Sequence, residues 1–291
     1  MTAASHVLLV HGAWHGGWAW DVLRPHLHEP GWTTAVVDLP SAGGDGTLAD
    51  DAATVRAALD AAPGPTVVVG HSYGGQVISE ACAGRSDVAH LVYVCAFQLE
   101  VGESLLAAVG GSPPWWFEVD EAAGRYRVRE PVTRFFADVD PAVAADAAAR
   151  LTTQTVASFT AALTAAAWHD IPSTYLACTA DRAIPVEAQR QMAQRAGTVH
   201  TLETSHSPFL AAPELVADLV AGAARRPSAV PGGPAREERA DQEGQRQQPE
   251  RDGHRRLDRT EVTAGRHRDG RTTALQREAT EEHRAEDGDA E

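Results

Sequence analysis

The sequence predicts a doubly wound, mostly parallel α/β sheet with a helical cap insertion and a disordered C-terminal tail. Three observations carry that prediction. Six short apolar runs alternate with segments of helical periodicity, the pattern of parallel strands joined by crossover helices. One run, Thr66-Val67-Val68-Val69, breaks into Gly70-His71-Ser72-Tyr73-Gly74 and then into a helix-forming stretch, so a strand turns sharply into a helix around one serine. Strand signal is missing from about Phe97 to Ile171, and large apolar residues thin out beyond Arg225.

Taken in order, the expected buried strands are Val7–Val10, Thr34–Val37, Thr66–Val69, Ala89–Cys95, Thr174–Cys178 and Thr198–Leu202. The first expected helix, Leu48–Ala62, places Leu48, Ala52, Val55 and Leu59 on one face. Gln76–Ala83 follows the serine turn, Val186–Ala196 follows Pro185, and Pro213–Ala224 closes the domain. Trp14, Trp18 and Trp20 are expected to pack the first helix.

The strand-free gap is aromatic and then Ala-rich, from Pro113-Pro114-Trp115-Trp116-Phe117 through Arg134-Phe135-Phe136 to Trp168. It reads as a helical cap over residues 97–171. In such sheets ligands bind beyond the carboxyl ends of the strands, so an insertion after the fourth strand lies above the site. The expected organisation is therefore a domain over residues 1–224, carrying the cap, and a charged tail over 225–291.

Composition narrows the partners. The tail holds 14 Arg against 16 Asp plus Glu, no aromatic residue, and only Val230, Leu257, Val262 and Leu275 as large apolar groups. It cannot bury enough surface to offset its ordering entropy, so it is expected to be disordered. The remaining 224 residues carry 11 basic and 24 acidic side chains. An acidic domain without lysine argues against nucleic acid or an anionic membrane as partner. Cys82, Cys95 and Cys178 lack metal-ligand spacing and read as buried thiols of a reducing compartment. The N-terminal sequence has neither a basic region nor a long apolar stretch, so a cytoplasmic protein is expected.

Ser72 is the candidate nucleophile. Glycines two residues on either side of it let neighbouring backbone approach where a Cβ would clash. A serine hydroxyl needs a base, and the base needs an acid to orient it. Leu176–Ala180 is a strand running into Asp181, and Thr201–Ser205 a strand end running into His206, which gives the chain order Ser72, Asp181, His206. Asp170 and Glu100 remain rival acids, and His71 reads as a packed residue of the turn. His6, His26, His28, His90 and the tail histidines are expected to have no chemical role. Two backbone N–H groups are needed for an oxyanion, and Ala13 and Tyr73 are the candidates, from the loop after the first strand and the residue after the nucleophile. That loop lacks G-x-G-x-x-G, so a dinucleotide phosphate is not its expected ligand.

His11-Gly12-Ala13-Trp14-His15-Gly16-Gly17-Trp18, the Gly70-to-Gly74 turn, Asp181-Arg182-Ala183-Ile184-Pro185 and His206 together resemble the α/β-hydrolase superfamily. More narrowly they resemble the branch containing methyl salicylate-type esterases, hydroxynitrile lyases and pyrethroid-hydrolysing carboxylesterases. The resemblance spans about residues 5–222. Lyases of this branch carry a threonine in the loop after the first strand and a lysine after the catalytic histidine, where this chain has Gly12 and Ser207. The resemblance therefore implies ester hydrolysis through an acyl-enzyme on Ser72, with no metal or organic cofactor.

The expected substrate is a small to medium uncharged ester, held by Trp14, Trp115, Trp116, Phe135 and Phe136. The alternatives are a receptor-like binding protein on the same fold, and a cofactor-free lyase or acyltransferase. Either a monomer or a homodimer fits the sequence.

Overall fold

The computed structural model describes residues 4–27 and 32–225. The expected disordered tail lies outside the described residues apart from Arg225, and so does His28. In chain order the elements are β1 (His6–Val10), β2 (Thr33–Val37), α1 (Leu48–Asp60), β3 (Thr66–His71), α2 (Tyr73–Ala81), β4 (Val88–Val94) and α3 (Leu105–Ala108). Then come β5 (Phe117–Asp120), β6 (Arg125–Val128), α4 (Pro131–Phe135), α5 (Pro141–Ala149), β7 (Gln154–Thr155) and α6 (Val156–Thr160). The domain closes with β8 (Ser173–Cys178), α7 (Val186–Ala193), β9 (Thr198–Leu202), α8 (Pro208–Ala211) and α9 (Pro213–Ala224).

Six strands form one sheet in the order β2-β1-β3-β4-β8-β9, and every neighbouring pair is parallel. Side chains alternate faces along a strand. Leu8, Val10, Val68, Leu91 and Tyr93 thus join one apolar cluster, while Val7, Leu9, Val67, Val69, Val92 and Val94 join the other. Burial on both faces explains why these strands read as unbroken apolar runs, each buried Val or Leu contributing about 1.5–3 kcal/mol of transfer free energy. β9 lies at the sheet edge, and its central residues are exposed.

α1 starts where its chemistry says it should. Thr47 Oγ1 accepts the Asp50 N–H and Asp50 Oδ2 accepts the Thr47 N–H, a reciprocal capping box. α2 begins three residues before the expected Gln76, directly after Ser72, and is buried throughout. Tyr73-Gly74-Gly75 has the composition of a turn, yet its glycines are there for close packing. A Cβ on Gly74 would lie 2.7 Å from the carbonyl oxygens of Val10 and His11. Between β1 and β2 the described residues form single 3-10 turns at Gly17–Trp20 and Arg24–His26. Two adjacent glycines and Pro25 leave no uninterrupted stretch for more. Trp20 is buried beside Phe209, and Trp18 lies under the Arg150 guanidinium.

The cap departs from the helical expectation. Alongside α3, α4, α5 and α6 it contains a three-stranded antiparallel sheet, β5-β6-β7. Its strands are only two to four residues long, and Phe117 and Tyr126 are the only buried positions of β5 and β6, so the alternation that signals a strand barely registers. Among the described residues no helix is long and apolar enough to cross a membrane.

Gly74→Ala should lower stability by about 3 kcal/mol in urea or thermal unfolding, because the backbone of β1 cannot yield. Gly102→Ala, at φ +86° with open space around it, should cost about 1 kcal/mol. Equal losses from the two variants would contradict the close-approach account.

Candidate active site

Ser72 follows β3 and caps α2 with φ 52° and ψ −121°, a conformation costing about 1–3 kcal/mol for a non-glycine residue. Trp14 (φ 63°) and Cys95 (φ 36°) are likewise in positive-φ conformations, just after β1 and β4. Three strained residues thus collect at the carboxyl ends of three adjacent central strands. The Ser72 turn is pinned on both sides: its N–H donates to Val94 O at 3.2 Å and its carbonyl accepts from Phe97 N at 3.0 Å.

His206 follows β9 and is buried. Its Nδ1 lies 2.7 Å from Asp181 Oδ2. Asp181 is held in turn by the Ala183 and Ile184 N–H groups at 2.7 and 3.0 Å and by Gln189 Nε2 at 2.9 Å. The residue before the histidine is tied to the cap, where Ser205 N donates to Asp138 Oδ2 at 2.8 Å and Ser205 Oγ donates to Asp138 Oδ1. The rival acids lie elsewhere. Glu100 pairs with His169, whose hydrogen bond holds its carboxyl below the usual range, and Asp170 is exposed.

The loop after β1 is built on histidines whose tautomers its own carbonyls fix. His11 Nδ1 donates to Gly12 O at 2.8 Å, so its Nε2 accepts from Leu39 N at 3.0 Å. His15 Nδ1 donates to Ala13 O at 2.8 Å. His71 Nε2 donates to His206 O at 2.8 Å, and its ring packs edge-on against Phe209. Burial lowers all three rings, His15 to about 3 and His71 well below its ordinary value, so they are neutral spacers at neutral pH. His11 and His15 have no distinguishing spacing in the sequence, and their structural role went unread there.

The donor atoms of His71, Cys95 and His206 lie within 4.8 Å of one another, which is near enough for a metal ion. The Cys95 S–H is spent on the His206 carbonyl, however, which the His71 Nε2–H also holds, and burial pushes the Cys95 thiol well up, which disfavours the thiolate a metal would need. The trio fits a structural support better than a ligand set. All three cysteines are free and buried, with Cys82 pushed up to about 12.

Ser72 and His206 open onto one apolar cleft of about 310 Å³, its mouth included. Ala13 and Tyr73 line it beside them, and among the described residues neither backbone N–H is spent on an internal hydrogen bond. Of the aromatic residues expected to meet a substrate, Trp14, Trp116 and Phe135 line the cleft. Trp115 and Phe136 do not. Trp115 is 37% exposed, with the Arg134 guanidinium over its ring. Phe136 is buried against His15 on the far side of Phe135. In their place the cleft uses Phe97, Leu105, Phe117 and Phe159. Phe159 stands in an Ala- and Thr-rich stretch with nothing in the sequence to mark it.

Residues 7–219 match the sequence profile of the Alpha/beta hydrolase family. The chain belongs to that family. Among its relatives, the Alpha/beta hydrolase nvfD of Aspergillus novofumigatus is 31% identical over 75% of this chain and 96% of its own. The Pyrethroid hydrolase of Sphingobium wenxiniae is 29% identical over 81% of this chain and 95% of its own. Among solved structures, a pyrethroid hydrolase from Sphingobium faniae superposes with a TM-score of 0.66 at 24% identity, covering 76% of this chain and 97% of that one. A methylesterase from Arabidopsis gives 0.62 at 21%, covering 75% and 98%. These structures share the fold of this alpha/beta hydrolase.

The buried histidines set an acid limit on stability. A histidine whose folded value lies below its unfolded value near 6.5 binds its proton only on unfolding, so stability is full above about 6.5 and is lost as pH falls below it. For His15 the loss should reach about 2 kcal/mol at pH 5. His15→Phe should flatten the fall in unfolding free energy between pH 7 and 5 by that amount. A wild-type curve already flat over this range would contradict the assignment.

Proposed function

We propose that the protein is a serine carboxylesterase acting on a small to medium uncharged ester. The observation that carries this reading is the buried His206–Asp181 hydrogen bond of 2.7 Å opening onto the same cleft as Ser72. With Nδ1 committed to Asp181, His206 has Nε2 with which to take the Ser72 Oγ proton as the oxygen attacks the ester carbonyl. The Ala13 and Tyr73 N–H groups receive the developing oxyanion. His206 then returns the proton to the departing alkoxide, and a water activated by the same nitrogen releases the acid from Ser72. Asp181 balances the imidazolium formed in both halves of the reaction.

The cleft lining supports an uncharged substrate. Phe117, Phe135 and Phe159 place ring centroids 5.0–5.8 Å from the Trp14 ring, and among the described residues no Lys or Arg lines the space. Relatives whose names record ester and pyrethroid hydrolysis agree with this chemistry.

Hydrolysis of p-nitrophenyl esters from acetate to octanoate should be fastest at short to medium chain length. Ser72→Ala should reduce kcat by about 10⁵-fold or more, and Asp181→Asn by about 10³- to 10⁴-fold. If wild type were inactive across the series, or Ser72→Ala equally active, the esterase reading would fail in favour of a lyase, acyltransferase or binding role.

A further inference from the structure

Trp14 follows the oxyanion donor Ala13 and is held at φ 63°, where a bulky residue needs support from outside its own loop. Among the described residues, the hydrogen bonds that supply it come from the cap. The Trp14 N–H donates to Gln154 Oε1 at 3.2 Å, and the Trp14 carbonyl accepts from Thr152 N at 2.8 Å and Thr152 Oγ1 at 3.2 Å. The indole Nε1–H donates to Tyr126 O at 3.0 Å. Every hydrogen-bonding group of this residue is thus engaged by β6, β7 or the residues just before β7.

Gln154 also reaches the other donor. A backbone N–H can only donate, which fixes the Gln154 amide with Oε1 toward Trp14 and its two N–H groups away. Those donate to Ser41 Oγ and Ser158 Oγ, each at 2.7 Å. Ser41 Oγ donates onward to Asp51 Oδ2 at 2.5 Å, and the Tyr73 hydroxyl donates to the same oxygen at 2.6 Å. Gln154, Ser41, Asp51, Ser158 and Tyr73 are all fully buried. A buried carboxylate with its acceptor sites filled in this way is costly to disturb, because each broken bond leaves a group without water.

We propose that Gln154 is a positioning residue for the oxyanion hole, its side chain fixing Trp14 beside Ala13 and, through Ser41 and Asp51, the Tyr73 ring beside the second donor. The cap is then a structural part of the catalytic apparatus, and a displaced cap loosens both amides together. This rests on Ser72-dependent ester hydrolysis, and it adds a residue in neither the triad nor the cleft lining.

The test compares wild type, Gln154→Met and Ser41→Ala. Methionine keeps the length and apolar volume of glutamine but makes none of its three hydrogen bonds. For Gln154→Met, kcat on a p-nitrophenyl ester should fall roughly 10- to 100-fold while KM moves less than about threefold, with the fraction of titratable serine unchanged. The Ki of an alkyl trifluoromethyl ketone, which places an oxyanion in the hole, should rise by the same factor by which kcat/KM falls. Amide hydrogen exchange should speed up in residues 11–17 and stay at the wild-type rate in β1 and β3. Ser41→Ala cuts only the path to Asp51 and should give the same pattern at smaller size.

A packing role alone predicts that Gln154→Met keeps the wild-type kcat, or that lost activity tracks lost titratable sites, and either result overturns the proposal. If Gln154→Met does not fold, unchanged kcat and inhibitor affinity in Ser41→Ala overturn it. Should wild type hydrolyse no ester, the esterase reading fails separately. Exchange in residues 11–17 then decides, acceleration in Gln154→Met supporting the positioning role and wild-type rates refuting it.

Discussion

Ser72 is held at φ 52° and ψ −121° by a turn in which three backbone segments meet without room for a Cβ. A Cβ at Gly70 would lie 2.7 Å from Gly74 O, and one at Gly75 would lie 2.8 Å from the Ala96 side chain. The strain persists because β1, β3 and β4 are buried on both faces and cannot relax around it. Sheet order, elbow and site are thus one arrangement. β1 and β4 flank β3, so the loops after them lie on either side of the serine, one bringing Ala13 and Trp14 and the other Cys95 to Phe97.

Around that fixed point the polar groups of the site are oriented by partners they cannot exchange. The Ala13 carbonyl is taken by His15, and the His206 carbonyl by His71 and Cys95. Both Asp181 oxygens are occupied by donors besides His206. These are buried bonds, whose loss costs the full desolvation of whichever group is left behind. The arrangement is ordered before any substrate arrives, the condition under which fixed dipoles stabilise developing charge most effectively. The cap contributes from above, holding Trp14 through Gln154 and the segment before His206 through Asp138.

The central sheet was legible because strands buried on both faces leave continuous β-branched and aliphatic runs; β1, β2, β4 and β8 each begin one residue before the expected start. That Asp181 would meet His206, and His206 share a cleft with Ser72, was legible because each of the three follows a strand. The start of α2 was not, since Tyr73-Gly74-Gly75 spells a turn to any propensity argument, and only the third dimension reveals the neighbours that exclude a Cβ. The cap hairpin was hidden by strands of four residues with one buried position each. Trp115 and Phe136 illustrate a further limit, for aromatic character says that a ring will be covered and not what will cover it. Gln154 and Asp51 left no trace, because a buried polar network depends on contacts between distant segments that no local pattern records.

The central claim is that Ser72 is the nucleophile, and the most direct measurement is the site and stoichiometry of reaction with diethyl p-nitrophenyl phosphate. Intact mass and peptide fragmentation should find one phosphoryl group per chain, on Ser72, at a rate that falls sharply when His206 is replaced by alanine. Absence of any adduct, or an adduct on another residue with Ser72 unmodified, would contradict the account.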